Sequence, residues 1–159
     1  MENEPVVINS GPLILLDRID SLNILDRLPY RFIYPPAVRM ELDAGIRLGR
    51  RIIASNRLIL KELSFPVSPM IRQFLDPGEA EAIQLALNNR IARVCLDDLR
   101  GRKIAESVGL KVMGLLALLG KAKTLGLIPR LKPMTDKLTA EGAWYSKRII
   151  QAVLAEVGE

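Results

Sequence analysis

Leu75-Asp76-Pro77-Gly78-Glu79-Ala80-Glu81-Ala82-Ile83, running on through Ala86 and Leu87 to Ala92-Arg93-Val94-Cys95-Leu96-Asp97-Asp98, decides the fold. Asp76 suits a helix N-cap, Pro77 the first turn and Glu79 the third position, so a helix is predicted to start here. It runs to about Leu87, where Asn88-Asn89 can stop it. Ala92 to Leu96 is then a short apolar run bounded by polar residues, the pattern of a fully buried strand. Asp97 and Asp98 stand at its carboxyl end.

The same alternation extends in both directions. Downstream, Arg100 to Val108 reads as a helix ended by Gly109, and Leu110 to Met113 as a strand. Gly114 then precedes a helix from Leu115 to about Leu125. Upstream, Val6 to Ile8 reads as a buried strand followed by an Asn9-Ser10-Gly11-Pro12 turn. A helical pattern starts at Leu13 to Leu16 and continues through Ile19, Leu22 and Leu25. Arg31 to Tyr34 gives a second strand, stopped by Pro35-Pro36, and a helix over residues 37–44 follows. Strands and helices in alternation with short links predict an α/β fold with a parallel sheet covered on both faces.

Residues 45–63 are the least patterned. Arg47, Arg50, Arg51, Arg57 and Lys61 lie among aliphatic residues, as in a basic helix or lid, or a surface helix with solvated arginines. Residues 65–70 carry two prolines and read as a connector or edge strand. From Pro129 the pattern changes to two short amphipathic helices, residues 133–141 and 146–156. In the second, Ile149, Ile150, Val153, Leu154 and Val157 form one apolar face. A single domain over residues 1–159 is expected, with a core of about 5–128 and a C-terminal helical extension of about 129–159. Residues 127–132 are a candidate hinge.

Composition removes most chemistries. The chain has no histidine, which excludes Ser-His-Asp and Cys-His catalysis. Its one cysteine, Cys95, can form neither an internal disulfide nor a cysteine-rich zinc site, and its apolar setting marks it as a core residue. Neither a Walker-type lysine loop nor Gly-x-Gly-x-x-Gly is present. The opening Met1-Glu2-Asn3-Glu4 is acidic, unlike a signal peptide, and the apolar run from Val112 to Gly120 is too short to span a membrane. A reducing, cytoplasmic setting is expected. The net charge of +5 suits an anionic partner such as RNA or DNA.

Carboxylates working with a metal ion are what remain. In open parallel sheets, function gathers outside the carboxyl ends of the strands. Asn9 and Asp98 both end strands, and they share a crevice if those strands are neighbours. Glu79 lies in line with Ala82, Ile83, Ala86 and Leu87 on one helical stripe and so points inward. Glu81, about 200° round the helix at 100° per residue, faces solvent or the next element. Glu41, one turn after Ala37 and Val38, is a further inward candidate. Converging carboxylates repel unless a cation compensates them, and Mg²⁺ prefers oxygen ligands. Each residue also has a plainer reading. Asp98 and Asp97 are candidate helix caps, Glu79 a partner of Asp76 in a capping box, Glu41 a surface glutamate, and Asn9 and Ser10 turn residues.

Taken together, Val7-Ile8-Asn9-Ser10-Gly11-Pro12-Leu13-Ile14, Pro35-Pro36-Ala37-Val38 with Glu41-Leu42, and the Leu75 to Ala86 block carry a resemblance. So do Leu96-Asp97-Asp98 with Arg102 and Ala105, Gly109-Leu110-Lys111-Val112 with Gly114, and Leu131-Lys132-Pro133. Over essentially its whole length the chain resembles the PIN-domain superfamily, and within it the short toxin-type PIN-like proteins of bacteria and archaea. The resemblance implies a three-layer α/β/α sandwich with a central, mainly parallel sheet and a C-terminal helical tail. It also implies a Mg²⁺- or Mn²⁺-dependent ribonuclease. The superfamily's acidic positions fall on Asn9, Glu41, Glu79 and Asp98, with Asp98, Glu79 and Glu41 as metal ligands. Ser10, Asp97 and Glu81 are accessory candidates, and Arg50, Arg51, Arg100 and Arg102 are candidates for phosphate contacts. An RNA substrate, a cognate antitoxin and a homodimer are the implied partners. One departure matters: the superfamily's first acid is an aspartate, and this chain has Asn9. Asparagine keeps a carbonyl oxygen but brings no charge, so two readings stay open, an enzyme and a PIN-like module that binds RNA or protein without cutting.

Overall fold

The computed structural model describes residues 3–159; Met1 and Glu2, half of the acidic opening, lie outside the described residues. Five strands form one sheet: β1 (Glu4–Ile8), β2 (Tyr30–Tyr34), β3 (Leu58–Leu60), β4 (Arg93–Cys95) and β5 (Lys111–Met113). Every pairing is parallel, and the order is β3-β2-β1-β4-β5. The chain builds outward from β1 to β2 and β3 on one side, then returns to place β4 and β5 on the other. The order therefore reverses between β1 and β4, and a crevice opens at such a switch point.

Alternation along the strands divides the interior into two layers. Val6, Ile8, Phe32, Tyr34 and Cys95 face one side of the sheet, and Val7, Ile33 and Val94 the other. The first layer is closed by α1 (Ser10–Arg18), α2 (Ile24–Arg27), α3 (Pro36–Arg47), α7 (Leu115–Thr124) and α8 (Lys132–Ala140). The second is closed by α4 (Pro69–Arg72), α5 (Pro77–Asn88) and α6 (Leu99–Ser107). With both faces covered, residues 6–8 of β1 and 32–34 of β2 read as unbroken apolar runs, as buried parallel strands do.

Several expectations change in detail. No turn separates β1 from the first helix: Asn9 is extended and α1 starts at Ser10, with Gly11 and Pro12 in its first turn. The helical pattern through Leu25 is cut in two, because Asp20 takes a left-handed conformation with φ 54°. Residues 45–63 form no helix of their own. The helix α3 stops at Arg47, and an irregular segment leads to β3, the sheet's edge strand. Residues 65–70 are connector and the start of α4, not strand.

The C-terminal extension shares the first layer's core. Leu131, Met134 and Leu138 are buried there, and Ile150, Val153 and Leu154 of α9 (Lys147–Glu156), with Val157 at its C-cap, pack against it. Ile149 stays half exposed. The link at 127–132 is pinned: the Glu159 carboxylate accepts the amides of Leu131 at 2.6 Å and Lys132 at 3.0 Å. Among the described residues no helix is long and apolar enough to cross a membrane.

Candidate active site

Asn9 leaves the carboxyl end of β1, and its amide donates to the Cys95 carbonyl of β4 at 3.0 Å. The first polar position of the crevice is thus fastened to both central strands. Asn9 stands at the N-cap of α1, yet its side chain makes no capping bond. Its Oδ1 is buried and has no hydrogen-bond partner. A buried acceptor left so costs about 1–3 kcal/mol unless a water or cation meets it.

One carboxylate, that of Glu41, lies near that oxygen, and two more gather at the next turn of the crevice. Ser10 Oγ donates to Glu41 Oε2, which turns the glutamate of α3 toward the start of α1. A Cβ added to Gly78 would overlap Glu41 Oε1 and lie 3.2 Å from Asn9 Oδ1, so these two oxygens lie over one backbone position of α5. Glu79, the next residue, is only 8% exposed. A Cβ at Gly101 would be 3.7 Å from both Glu79 Cδ and Asp98 Oδ2, which places those two acids around the first turn of α6.

The electrostatics follow from this crowding. Burial first, then the charges of Asp76, Asp98 and Glu41, push Glu79 up to about 7. Burial also raises Glu41, against the Ser10 hydrogen bond, with a further push from Asp76. Asp76 and Asp98 each do cap a helix: Asp76 Oδ1 accepts from the Glu79 amide at 2.8 Å, and Asp98 Oδ2 from the Gly101 amide at 2.9 Å. Capping does not withdraw Asp98 from the crevice, because the residue is exposed. It lines a cleft of about 560 Å³ with Asp76, Glu79, Arg100, Lys103 and two apolar residues.

Whether these residues suit a divalent ion can be judged from the donors. All of them are oxygens, as a hard cation requires, and Asn9 Oδ1 lacks a partner. Among the described residues no three acids stand close enough to form a ready-made cage. The set therefore fits an ion of the Mg²⁺ type, which keeps several waters and takes one or two carboxylates.

The remaining candidates divide. Arg100 lines the cleft, and Lys103, one helical turn on, joins it there. Reading the sequence missed Lys103, although its i+3 spacing from Arg100 was the available signal. Arg51 is spent elsewhere, on Asp20 at 2.8 Å and Asp17 at 3.3 Å. Arg50 packs beside Gly45. Arg102 lies beyond the cleft, near Gly114 and Asp97. Glu81 accepts the Ala37 amide at 3.2 Å and so ties α5 to the start of α3. Asp97 accepts the Leu115 amide at 3.0 Å and the Tyr145 hydroxyl at 3.1 Å. Burial raises its carboxyl despite those donors. Burial also pushes the Cys95 thiol well up, in keeping with a core role.

A sequence model of the PIN domain matches residues 5–159. Among solved structures, a PilT N-terminus domain protein from the hyperthermophilic archaeon Sulfolobus solfataricus P2 is similar, with a TM-score of 0.55 and 21% identity. The match covers 74% of this chain and 92% of that one, and it is a likeness of fold. A search of curated proteins finds no match.

Proposed function

Since the chain belongs to the PIN-domain family, whose members are generally nucleases, we propose that it is a divalent-metal-dependent ribonuclease and the toxin half of a toxin–antitoxin pair. The observation that carries the metal chemistry is the buried, unpartnered Asn9 Oδ1 beside the Glu41 carboxylate. Of Asp98, Glu79 and Glu41, one or two would bind the ion, Mg²⁺ or Mn²⁺, directly and the rest through its retained waters, and Asn9 would serve as a neutral ligand or orient a water. Bound there, the ion supplies charge neutralisation at the phosphodiester and an activated water. The chain does the rest. Ser10 holds Glu41 in place, Asp76 fixes the first turn of α5 that carries Glu79, and Arg100 and Lys103 offer positive charge to the phosphate. The toxin role and the antitoxin partner rest on the resemblance to short toxin-type PIN-like proteins. A cytoplasmic setting accords with the lone buried thiol.

The test is cleavage of single-stranded RNA with and without Mg²⁺ or Mn²⁺, beside Asp98→Asn. Asparagine caps helices as well as aspartate does, so this change removes charge and leaves α6 intact. Cleavage is expected to need the metal and to be lost in Asp98→Asn. Metal-free cleavage, or cleavage that survives the substitution, overturns the mechanism. Asn9 favours a second reading, a module that binds RNA or protein without cutting. Tight RNA binding with no cleavage supports it, whereas a gain of activity in Asn9→Asp shows that the missing charge limits an enzyme.

A further inference from the structure

Beside the acid cleft lies a second groove, of about 690 Å³. Leu99, the first residue of α6, lines both, so the two hollows are neighbours. The groove contains Trp144, the only tryptophan of the chain, which is 98% exposed. Its position is not casual. The neighbouring Tyr145 hydroxyl is bonded to Asp97, beside Asp98 of the cleft, so the segment carrying the indole is anchored to the end of β4.

Basic side chains face both hollows beside their acids, Arg100 and Lys103 the cleft and Arg102 the groove. A Cβ at Gly114 would lie 2.6 Å from Asp97 Oδ1 and 2.8 Å from Arg102 Nη1, so the glycine makes room for both side chains. Asp97 is occupied by its two donors. Arg102 makes no direct ion pair among the described residues, although its charge acts on the neighbouring Asp97, and it lines the groove. Lys147 and Arg148 are exposed in the first turn of α9, one residue beyond Tyr145. An exposed aromatic face beside basic groups is how single-stranded nucleic acid is held without regard to sequence.

We infer that this groove is a nucleotide subsite: an unpaired base flanking the cleaved phosphodiester stacks on Trp144, and its phosphate faces Arg102. The inference rests on the nuclease reading for the occupant of the cleft. Because Trp144 is the single indole, its fluorescence reports the groove directly. The full chain carrying Asp98→Asn, which prevents cleavage, is titrated with a short single-stranded oligoribonucleotide and with an abasic strand of equal length. Base-bearing RNA is expected to quench the emission and the abasic strand to leave it unchanged. Trp144→Ala is expected to weaken RNA binding by roughly 5- to 150-fold, the range for loss of one stacked base. Trp144→Phe should restore most of it, and Arg102→Ala should lower the salt dependence. RNA that fails to bind, binds with emission unchanged, or binds Trp144→Ala as tightly as the parent, overturns the subsite. So does a protein-concentration-dependent emission change without RNA, since the groove is then covered by a second copy. Cleavage by the unaltered chain, measured in parallel, separates the two ideas. Quenching without cleavage leaves the subsite standing and sinks the enzyme, and cleavage without quenching does the reverse.

Discussion

Glu79 keeps a proton in the fold over a pH range in which the unfolded chain has lost it. Burial foremost, then Asp76, Asp98 and Glu41, raise it from 4.5 to about 7. Between those values the folded state binds more protons than the unfolded one, so metal-free stability falls as pH rises through the window and stays lower above it. The full shift corresponds to about 3 kcal/mol at most. Glu79→Gln should flatten that slope, gaining stability at pH 8 and changing little at pH 4, as urea midpoints at the two pH values will show. An unaltered slope would mean that the burial of Glu79 is not what sets it. Asn9, Glu41, Glu79 and Asp98 were legible in the sequence because each lies at the end of an apolar strand or on the inward stripe of a helix. Arg51 was not, since Asp17 and Asp20 lie more than thirty residues away and only the folded chain brings them to it. Trp144 was passed over for a similar reason: a lone aromatic between two helices has no periodicity to reveal which surface it joins.

Among the elements, legibility follows burial. β1, β2, β4 and β5 announce themselves as apolar runs cut off by Asn9, Pro35, Asp97 and Gly114. β3 does not, because it is three residues long, sits at the sheet edge and leaves Ile59 and Leu60 partly in water. The break after α1 was hidden because Leu22 and Leu25 continue the apolar period, while the left-handed Asp20 that ends the helix is not a glycine. The end of α5 is built the same way. Arg90 has φ 53°, its amide reaches the Leu87 carbonyl, and the Ile91 amide reaches the Ala86 carbonyl at 2.9 Å, closing a Schellman motif around a non-glycine residue. Arg90→Gly removes the Cβ penalty of that conformation, and the side chain is exposed. It should stabilise the protein by about 0.5–1 kcal/mol, seen as a raised urea midpoint with unchanged slope; a lowered midpoint would show that Arg90 makes a compensating contact.

At the scale of the molecule, the site and the core are hard to separate. The candidate site's groups hang from β1 and β4, inner strands of the sheet, and from α3, α5 and α6, which help to close the two apolar layers. The Asn9 amide bonded to Cys95 joins those inner strands at the point where the order of the sheet reverses. Opening the cleft therefore means opening the fold, and the unfolded chain offers an ion no comparable set of oxygens. By linkage, a cation that binds only the native state adds its binding free energy to the stability of the whole, about 2.7 kcal/mol at a hundredfold excess over its Kd. Melting temperature should thus climb with the logarithm of Mn²⁺ concentration, and Asp98→Asn should lose the climb. A flat response in the parent chain would mean that no ion distinguishes folded from unfolded protein. The seam between β1 and β4 lets a thermometer count ions at the cleft, with no substrate in the tube.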